Sequence, residues 1–221
     1  EVTHSRVGPD GIIIGDIEYL PCMHENGFKP LPRTGDHNIT DNYIQYHGLS
    51  LGQQGCIEFW YHPDWSGWQV GHQVEILDYG YLEDPGQHLI RISYNDWQNL
   101  LSFDFYGSPT DRSFIHRQVR PSTVPQWSTE HPFHIAIVWD GTAVNTADRL
   151  KLFFNGVQTG NASWYGDPTF AGWPTDMVSS LGGRLFSGDW DRHKWEGSEG
   201  IIDNIKIWAF PKTDFSDRFD E

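Results

Sequence analysis

The sequence predicts an all-β protein whose two antiparallel sheets pack face to face as a jelly-roll β-sandwich. No stretch of 12 or more residues places apolar side chains at helical spacing. Short strand-like segments recur instead, and 23 glycines and 13 prolines are spread along the 221 residues as turn-rich β folds require. About eleven such segments do not fit comfortably into one flat sheet. Two stacked sheets are therefore expected.

Several segments alternate apolar and polar residues, which predicts strands with one buried face. The expected buried sets are Ile57, Phe59 and Tyr61; Ile135, Ile137 and Trp139; and Leu150, Leu152 and Phe154. The strand-like segments are residues 11–20, 42–48, 55–63, 73–81, 88–95, 99–107, 113–119, 133–141, 149–160, 182–188 and 200–210.

Two short turns punctuate the second half of the chain. Asn155-Gly156, between Phe154 and Val157, is the strongest short hairpin signal that a sequence offers. Trp139-Asp140-Gly141 predicts a similar turn, since Asp and Gly tolerate positive φ.

The length favours a single domain over residues 1–221, with residues 210–221 as an exposed acidic tail or one helical turn. A chain that starts at Glu1 is expected to be a mature form or part of a longer protein. Cys22 and Cys56 either pair, which would indicate an oxidising compartment, or remain free and buried.

The net charge of −15 disfavours nucleic acid and anionic membranes as partners, because phosphate binding needs clustered Lys and Arg. No apolar run approaches the ~20 residues of a membrane span. Cations or neutral partners suit this surface.

Four segments, in order, resemble the concanavalin A-like jelly roll, and most of all its laminin G-like branch. They read CIEFWYHPDW, VEILDYGY, HIAIVWDGTAVNTADRLKLFFNGVQTG and EGIIDNIKIWAFPKTDFSD. The resemblance spans roughly residues 10–217. It implies a secreted, lectin-like binding module.

The resemblance also implies a structural calcium ion bound by Asp203 in the closing strand. Strand parity would place Asp203 on the face of Ile205 and Ile207, pointing inward, where an unpaired charge is costly. A divalent cation would neutralise it, and calcium takes six to eight oxygen ligands, many of them carbonyls. Asp16 and Glu18 in the first strand region are the further candidate ligands. The alternative is that Asp203 caps a turn or pairs with Lys or Arg.

Tryptophans in polar loops suggest a platform for carbohydrate or a glycoconjugate, since an indole stacks on the apolar face of a sugar. Exposed aromatics equally suit a protein partner, self-association or an apolar ligand, so an adhesion protein or a carrier stays open. The candidate residues are Trp65, Trp68, Trp97, Trp164, Trp173 and Trp190.

An enzyme of polysaccharide breakdown, either a lyase or a glycoside hydrolase, is the alternative on this fold. Retaining glycosidases need two carboxylates ~5–5.5 Å apart. Glu75 and Asp78 are the nearest pair, but residues three apart point to opposite faces of a regular strand. The sequence therefore predicts no catalytic residues.

Overall fold

The computed structural model confirms an all-β jelly-roll sandwich of two sheets. It describes residues 2–3, 11–31, 42–48, 51–66, 73–80, 88–95, 100–105, 117–119, 127–162, 178–182, 195–196 and 198–220. Within these ranges no helix has the length and apolar character needed to cross a bilayer.

The described residues form sixteen strands and one short 3-10 helix, Thr146–Asp148. The strands are β1 (Val2–Thr3), β2 (Gly11–Ile14), β3 (Ile17–Pro21), β4 (Asn26–Pro30), β5 (Tyr43–His47), β6 (Gln54–Pro63), β7 (Gln73–Gly80), β8 (His88–Asn95), β9 (Leu100–Phe105), β10 (Arg117–Val119), β11 (Phe133–Asp140), β12 (Leu150–Phe154), β13 (Val157–Ala162), β14 (Val178–Leu181), β15 (Trp195–Glu196) and β16 (Gly200–Trp208).

The strands form two sheets. A nine-stranded sheet has the order β1-β2-β5-β14-β7-β8-β9-β10, and β15 adds a short parallel pairing to β7. A seven-stranded sheet has the order β13-β12-β11-β6-β16-β4-β3, with antiparallel neighbours throughout. The closing strand β16 thus lies between β6 and the N-terminal hairpin β3–β4.

The alternating patterns fill one core between the sheets. The three predicted sets from β6, β11 and β12 all lie in it, as do Ile44, Leu77, Ile92 and Phe103 of the other sheet. Trp139 is fully buried, and its indole N–H donates to the Gly52 carbonyl at 3.0 Å. The period-2 pattern of these strands therefore predicted their buried faces correctly.

The turn predictions had mixed outcomes. Asn155 and Gly156 have φ of 48° and 80°, as a tight hairpin between β12 and β13 requires. Asp140 and Gly141 do not have positive φ. The Asp140 carboxylate instead accepts hydrogen bonds from the Thr142 N–H and hydroxyl, and a longer connection through the 3-10 helix leads to β12.

Strand boundaries also differ from the pattern. Residues 11–20 form two strands in different sheets, because the chain turns at Gly15, whose φ is 73°. The strands β1, β4, β14 and β15 have no counterpart among the predicted segments. The segment predicted at residues 182–188 lies outside the described residues except for Gly182, which is a bend after β14.

Residues 211–220, the C-terminal strap, pack on the outer face of the seven-stranded sheet instead of forming an exposed tail. Phe215 is 2% exposed and joins a second apolar cluster with Cys56, Ala136, Val138 and Phe153. Two successive turns close the strap, from Arg218 to Phe215 and from Asp220 to Asp217. The strap therefore gives the outer face of this sheet an apolar cluster of its own.

Candidate functional site

Asp203 lies on the outer face of the seven-stranded sheet, not on the inner face that parity predicts. Its cross-strand neighbour is Trp60, whereas Ile205 packs against the central core. The register of β16 against β6 shifts between Asp203 and Lys206, and Asn204 has φ of 47°. This bulge rotates Asp203 to the opposite face from Ile205 and Ile207.

The hairpin β3–β4 covers the Asp203 carboxylate. Asp203 Oδ2 accepts a hydrogen bond from the backbone N–H of His24, in the turn of this hairpin, at 2.7 Å. Burial is the main reason why the pKa of the Cys22 thiol is raised to about 11, and the charge of Asp203 and the hydrogen bond between the two side chains add to the rise. The thiol is therefore protonated at neutral pH and acts as a donor to the carboxylate.

Asp203 is 7% exposed, and it forms no ion pair with a Lys, Arg or His among the residues that the structure describes. A buried carboxylate held only by neutral donors is costly, and a cation beside it would offset that cost. The backbone carbonyls of the adjoining hairpin are oxygen donors of the kind that calcium prefers. The chemistry of this position fits a hard divalent cation.

Asp16 and Glu18 do not join Asp203 in one cluster. Within the described ranges no three His, Cys, Asp or Glu side chains gather as a metal site. Asp16 lies in the turn before β3, where its carbonyl accepts the N–H of Leu31. In the strand register Glu18 lies opposite Lys29 of β4, whereas the β4 residue beside Asp203 is Gly27. A calcium ion at Asp203 would therefore depend on carbonyls more than on these two acids.

A second polar region lies on the nine-stranded sheet, on the side opposite to the core. Gln45, Ser180, Asp78 and Arg91 are successive cross-strand neighbours on β5, β14, β7 and β8. The adjacent row of core residues contains Ile44, Leu181, Leu77 and Ile92. Because side chains alternate along each strand, the polar row faces away from the core. We call Gln45, Glu75, Asp78, Arg91, Ser93 and Ser180 the polar face.

A bulge in β7 brings the two acids of the polar face to the same side. Glu75 pairs with Ser93 and Asp78 pairs with Arg91, with a register shift between Glu75 and Leu77. Since Ser93 and Arg91 are two residues apart, their partners share a face. The expectation that Glu75 and Asp78 point to opposite faces is therefore wrong. Both acids are fully buried, whereas Arg91 is partly exposed.

A third set of polar side chains surrounds Glu58 under the C-terminal strap. Its carboxylate accepts hydrogen bonds from Lys212 Nζ at 2.8 Å, Trp208 Nε1 at 2.6 Å and His134 Nε2 at 2.9 Å. Burial raises the pKa of Glu58, but the three hydrogen bonds and the Lys212 charge outweigh burial and lower it to about 2. This carboxylate is fully paired, which indicates a structural role.

The predicted aromatic platform lies mostly outside the described residues. Trp68, Trp97, Trp164, Trp173 and Trp190 fall there, and their role stays a prediction. Trp65 lies after β6, partly buried against the core, with its ring centroid 5.4 Å from that of Trp127. The cysteines are free: Cys22 is partly exposed and Cys56 is buried. No disulfide therefore links them.

Sequence reasoning missed the polar face and the Glu58 network. The bulge in β7 hides the polar face and the bulge in β16 hides the outward position of Asp203, because one extra residue reverses strand parity. Asn204 offered a signal for one of them, since Asn tolerates positive φ better than most residues. The Glu58 partners lie 76 to 154 positions away along the chain, so no local pattern shows them.

No family model matches this chain, and no curated protein sequence matches it. Solved structures do. Domain 4 of AbnA, a GH43 extracellular arabinanase from Geobacillus stearothermophilus solved with arabinotriose, is 17% identical with a TM-score of 0.58, covering 92% of this chain and 84% of that chain.

A native heptameric SAP-like pentraxin from Limulus polyphemus is 12% identical with a TM-score of 0.54, covering 83% of this chain and 76% of the pentraxin chain. A sialidase from Trypanosoma rangeli, solved with 2,3-difluoro-KDN, is 11% identical with a TM-score of 0.56, covering 96% of this chain but 30% of the sialidase. Similarity at these identities shows the fold alone.

Proposed function

We propose that this protein is a secreted, non-catalytic carbohydrate-binding module of the laminin G-like kind, formed as a single domain and stabilised by calcium at Asp203. The observation that supports binding is the polar face, where two carboxylates, a guanidinium, an amide and two hydroxyls lie on one side of the nine-stranded sheet. Buried polar groups on the side away from the core are costly to maintain, and such groups cluster at functional sites.

The chemistry of the polar face suits a hydroxyl-rich ligand. The carboxylates accept hydrogen bonds from hydroxyls, Arg91 donates them, and Gln45 does both. Loop tryptophans would add stacking on the apolar face of each sugar. Arg91 is partly exposed whereas Asp78 is fully buried, so a ligand from solution meets Arg91 first. Carbohydrate in the solved complexes of two fold neighbours supports this choice of ligand.

Binding is tested by applying the protein to a glycan array with calcium and with EDTA, followed by calorimetry on any glycan retained. Arg91→Ala is expected to lower the affinity for that glycan by about tenfold, because one charge-assisted hydrogen bond is lost. Asp148→Asn, at an exposed acid in the 3-10 helix between β11 and β12, is the control and is expected to leave affinity unchanged. Retention of no glycan under either condition would overturn the proposal, and light scattering would then test self-association.

Calcium is tested on stability, independently of any glycan. With calcium the melting temperature of the wild type is expected to rise, and that of Asp203→Asn to stay constant. With EDTA, Asp203→Asn is expected to melt at or above the wild type, because Asn removes a buried charge and still accepts the His24 N–H. A wild-type melting temperature unaffected by calcium would contradict the calcium site.

The bulge in β7 favours one second candidate, a polysaccharide-degrading enzyme. Two carboxylates on one face of a strand are the arrangement from which glycosidases build a general acid and a nucleophile or base. Here Glu75 and Asp78 would take these roles, with Arg91 orienting the substrate.

Activity is tested on neutral polysaccharides, including arabinan, by new reducing ends, and on uronate polysaccharides by the absorbance of unsaturated ends. Glu75→Gln and Asp78→Asn are each expected to abolish cleavage, the signature of catalytic carboxylates. Release of products by both variants at the wild-type rate would rule these residues out.

A further inference from the structure

The end of the C-terminal strap docks on Trp60. The Trp60 indole N–H donates to the Arg218 carbonyl at 3.2 Å, and the Phe219 ring centroid lies 5.4 Å from that of the indole. Lys206 Nζ donates to the Asp220 carbonyl at 2.7 Å. Phe219 remains 53% exposed, so this end of the strap is held by few contacts. Its docking is therefore sensitive to small changes in the position of Trp60.

The other neighbour of Trp60 is the hairpin that covers Asp203. The His24 ring centroid lies 6.4 Å from that of Trp60, and the His24 backbone N–H donates to Asp203 at 2.7 Å. Trp60 and Asp203 are also cross-strand neighbours on β6 and β16. One indole, only 4% exposed, thus touches both the strap and the residues around Asp203.

We propose that cation binding at Asp203 and docking of the C-terminal strap are coupled through His24 and Trp60, each favouring the other. The inference rests on the proposed calcium site. A cation at Asp203 shares the carboxylate with the His24 N–H, so it orders the hairpin turn against the sheet. An ordered His24 constrains the position of the Trp60 ring, and Phe219 packs against the same ring. A buried ring with close neighbours transmits such a change because packed interiors yield little.

Linkage makes the coupling reciprocal, so it is measurable from either end. Phe219→Ala is expected to weaken calcium binding by about threefold to tenfold, measured calorimetrically with calcium chloride. Phe219→Leu, which keeps an apolar contact, is expected to stay within about twofold of the wild type. Phe210→Ala is the matched control: Phe210 is 51% exposed, similar to Phe219, but its ring packs edge-on against Trp208.

Strap docking gives the second readout. Removal of the last residues by carboxypeptidase is measured by mass spectrometry. Calcium is expected to slow this removal in the wild type and to have no such effect in Asp203→Asn. Calcium affinity unchanged by Phe219→Ala, or a trimming rate independent of calcium, would overturn the coupling while leaving the calcium site intact. Absence of calcium binding to the wild type would instead remove the site itself, and the coupling with it.

Discussion

Two buried carboxylates on the same face of the seven-stranded sheet have opposite surroundings. Glu58 in β6 and Asp203 in β16 are 2% and 7% exposed. Glu58 accepts hydrogen bonds from a lysine, a histidine and a tryptophan. Asp203 accepts from a backbone N–H and a protonated thiol, and among the described residues no cation pairs with it. The contrast separates an acid whose charge is balanced within the described structure from the acid at which we propose a cation.

Both acids interrupt apolar strands, so the sequence pattern alone does not separate them. Their partners do. A buried charge whose hydrogen bonds and counter-charge all come from the protein leaves no electrostatic reason for a ligand. A buried charge that has only neutral donors among the described residues does leave an electrostatic reason for a cation.

The largest expected effect comes from removing the counter-charge of Glu58. Lys212→Met should destabilise the protein by about 3 kcal/mol, because it leaves a buried carboxylate without its cation. The measurement is urea unfolding at neutral pH. The double variant Glu58→Gln/Lys212→Met should lose less free energy of unfolding than the sum of the two single variants. With both charges removed, neither one is left buried without its partner. Strict additivity would show that the pair is not coupled.

The pH dependence of stability should show Glu58 directly. Its pKa is lowered from 4.5 to about 2 in the folded protein, so its contribution is complete above about pH 4.5 and is lost as the pH falls from 4.5 toward 2. The difference in melting temperature between the wild type and Glu58→Gln should therefore shrink over that acid window. A difference that stays constant from pH 6 to pH 2.5 would contradict the paired state of Glu58.

Local patterns predicted much of the fold, because alternation in β6, β11 and β12 fixes which faces are buried. The tight Asn155-Gly156 hairpin was equally visible, since few residue pairs accept two positive φ values. What the sequence could not provide is the effect of single-residue bulges. At Asn204 and in β7, one extra residue reversed the faces assigned to Asp203 and to Asp78 relative to Glu75.

The functional regions were less predictable than the core for the same reason. Asp203 was proposed from the sequence as a calcium ligand, which stays a prediction, and its face and its neighbours were not predicted. The polar face combines residues from four strands whose order in the sheet is not their order in the chain. Lys212, in a segment expected to be exposed, is an anchor of the strap because its partner lies 154 positions earlier. Such relations follow from sheet topology, which residue spacing does not encode.

Thiol reactivity should report the charge of Asp203. With a pKa of about 11, Cys22 is almost entirely protonated at pH 8, so native protein should react with Ellman's reagent on the order of 100-fold more slowly than a free cysteine. Asp203→Asn should accelerate the reaction, because the carboxylate no longer opposes thiolate formation. Cys56 is fully buried and should stay unreactive in both proteins. An equal rate in wild type and variant would mean that the Asp203 charge does not reach Cys22.

The smallest effect is expected at the exposed end of the Glu58 network. Lys212 Nζ lies 2.9 Å from an oxygen of Asp217, but the Asp217 side chain is 48% exposed. Water and salt screen such a pair, so Asp217→Asn should change the free energy of unfolding by no more than about 0.5 kcal/mol, and by less at high salt. Urea unfolding at low and high ionic strength measures it. A loss comparable to that of Lys212→Met would show that the strap is held by its surface charges, and Glu58 would then lose its distinction from Asp203 as the acid that anchors the fold.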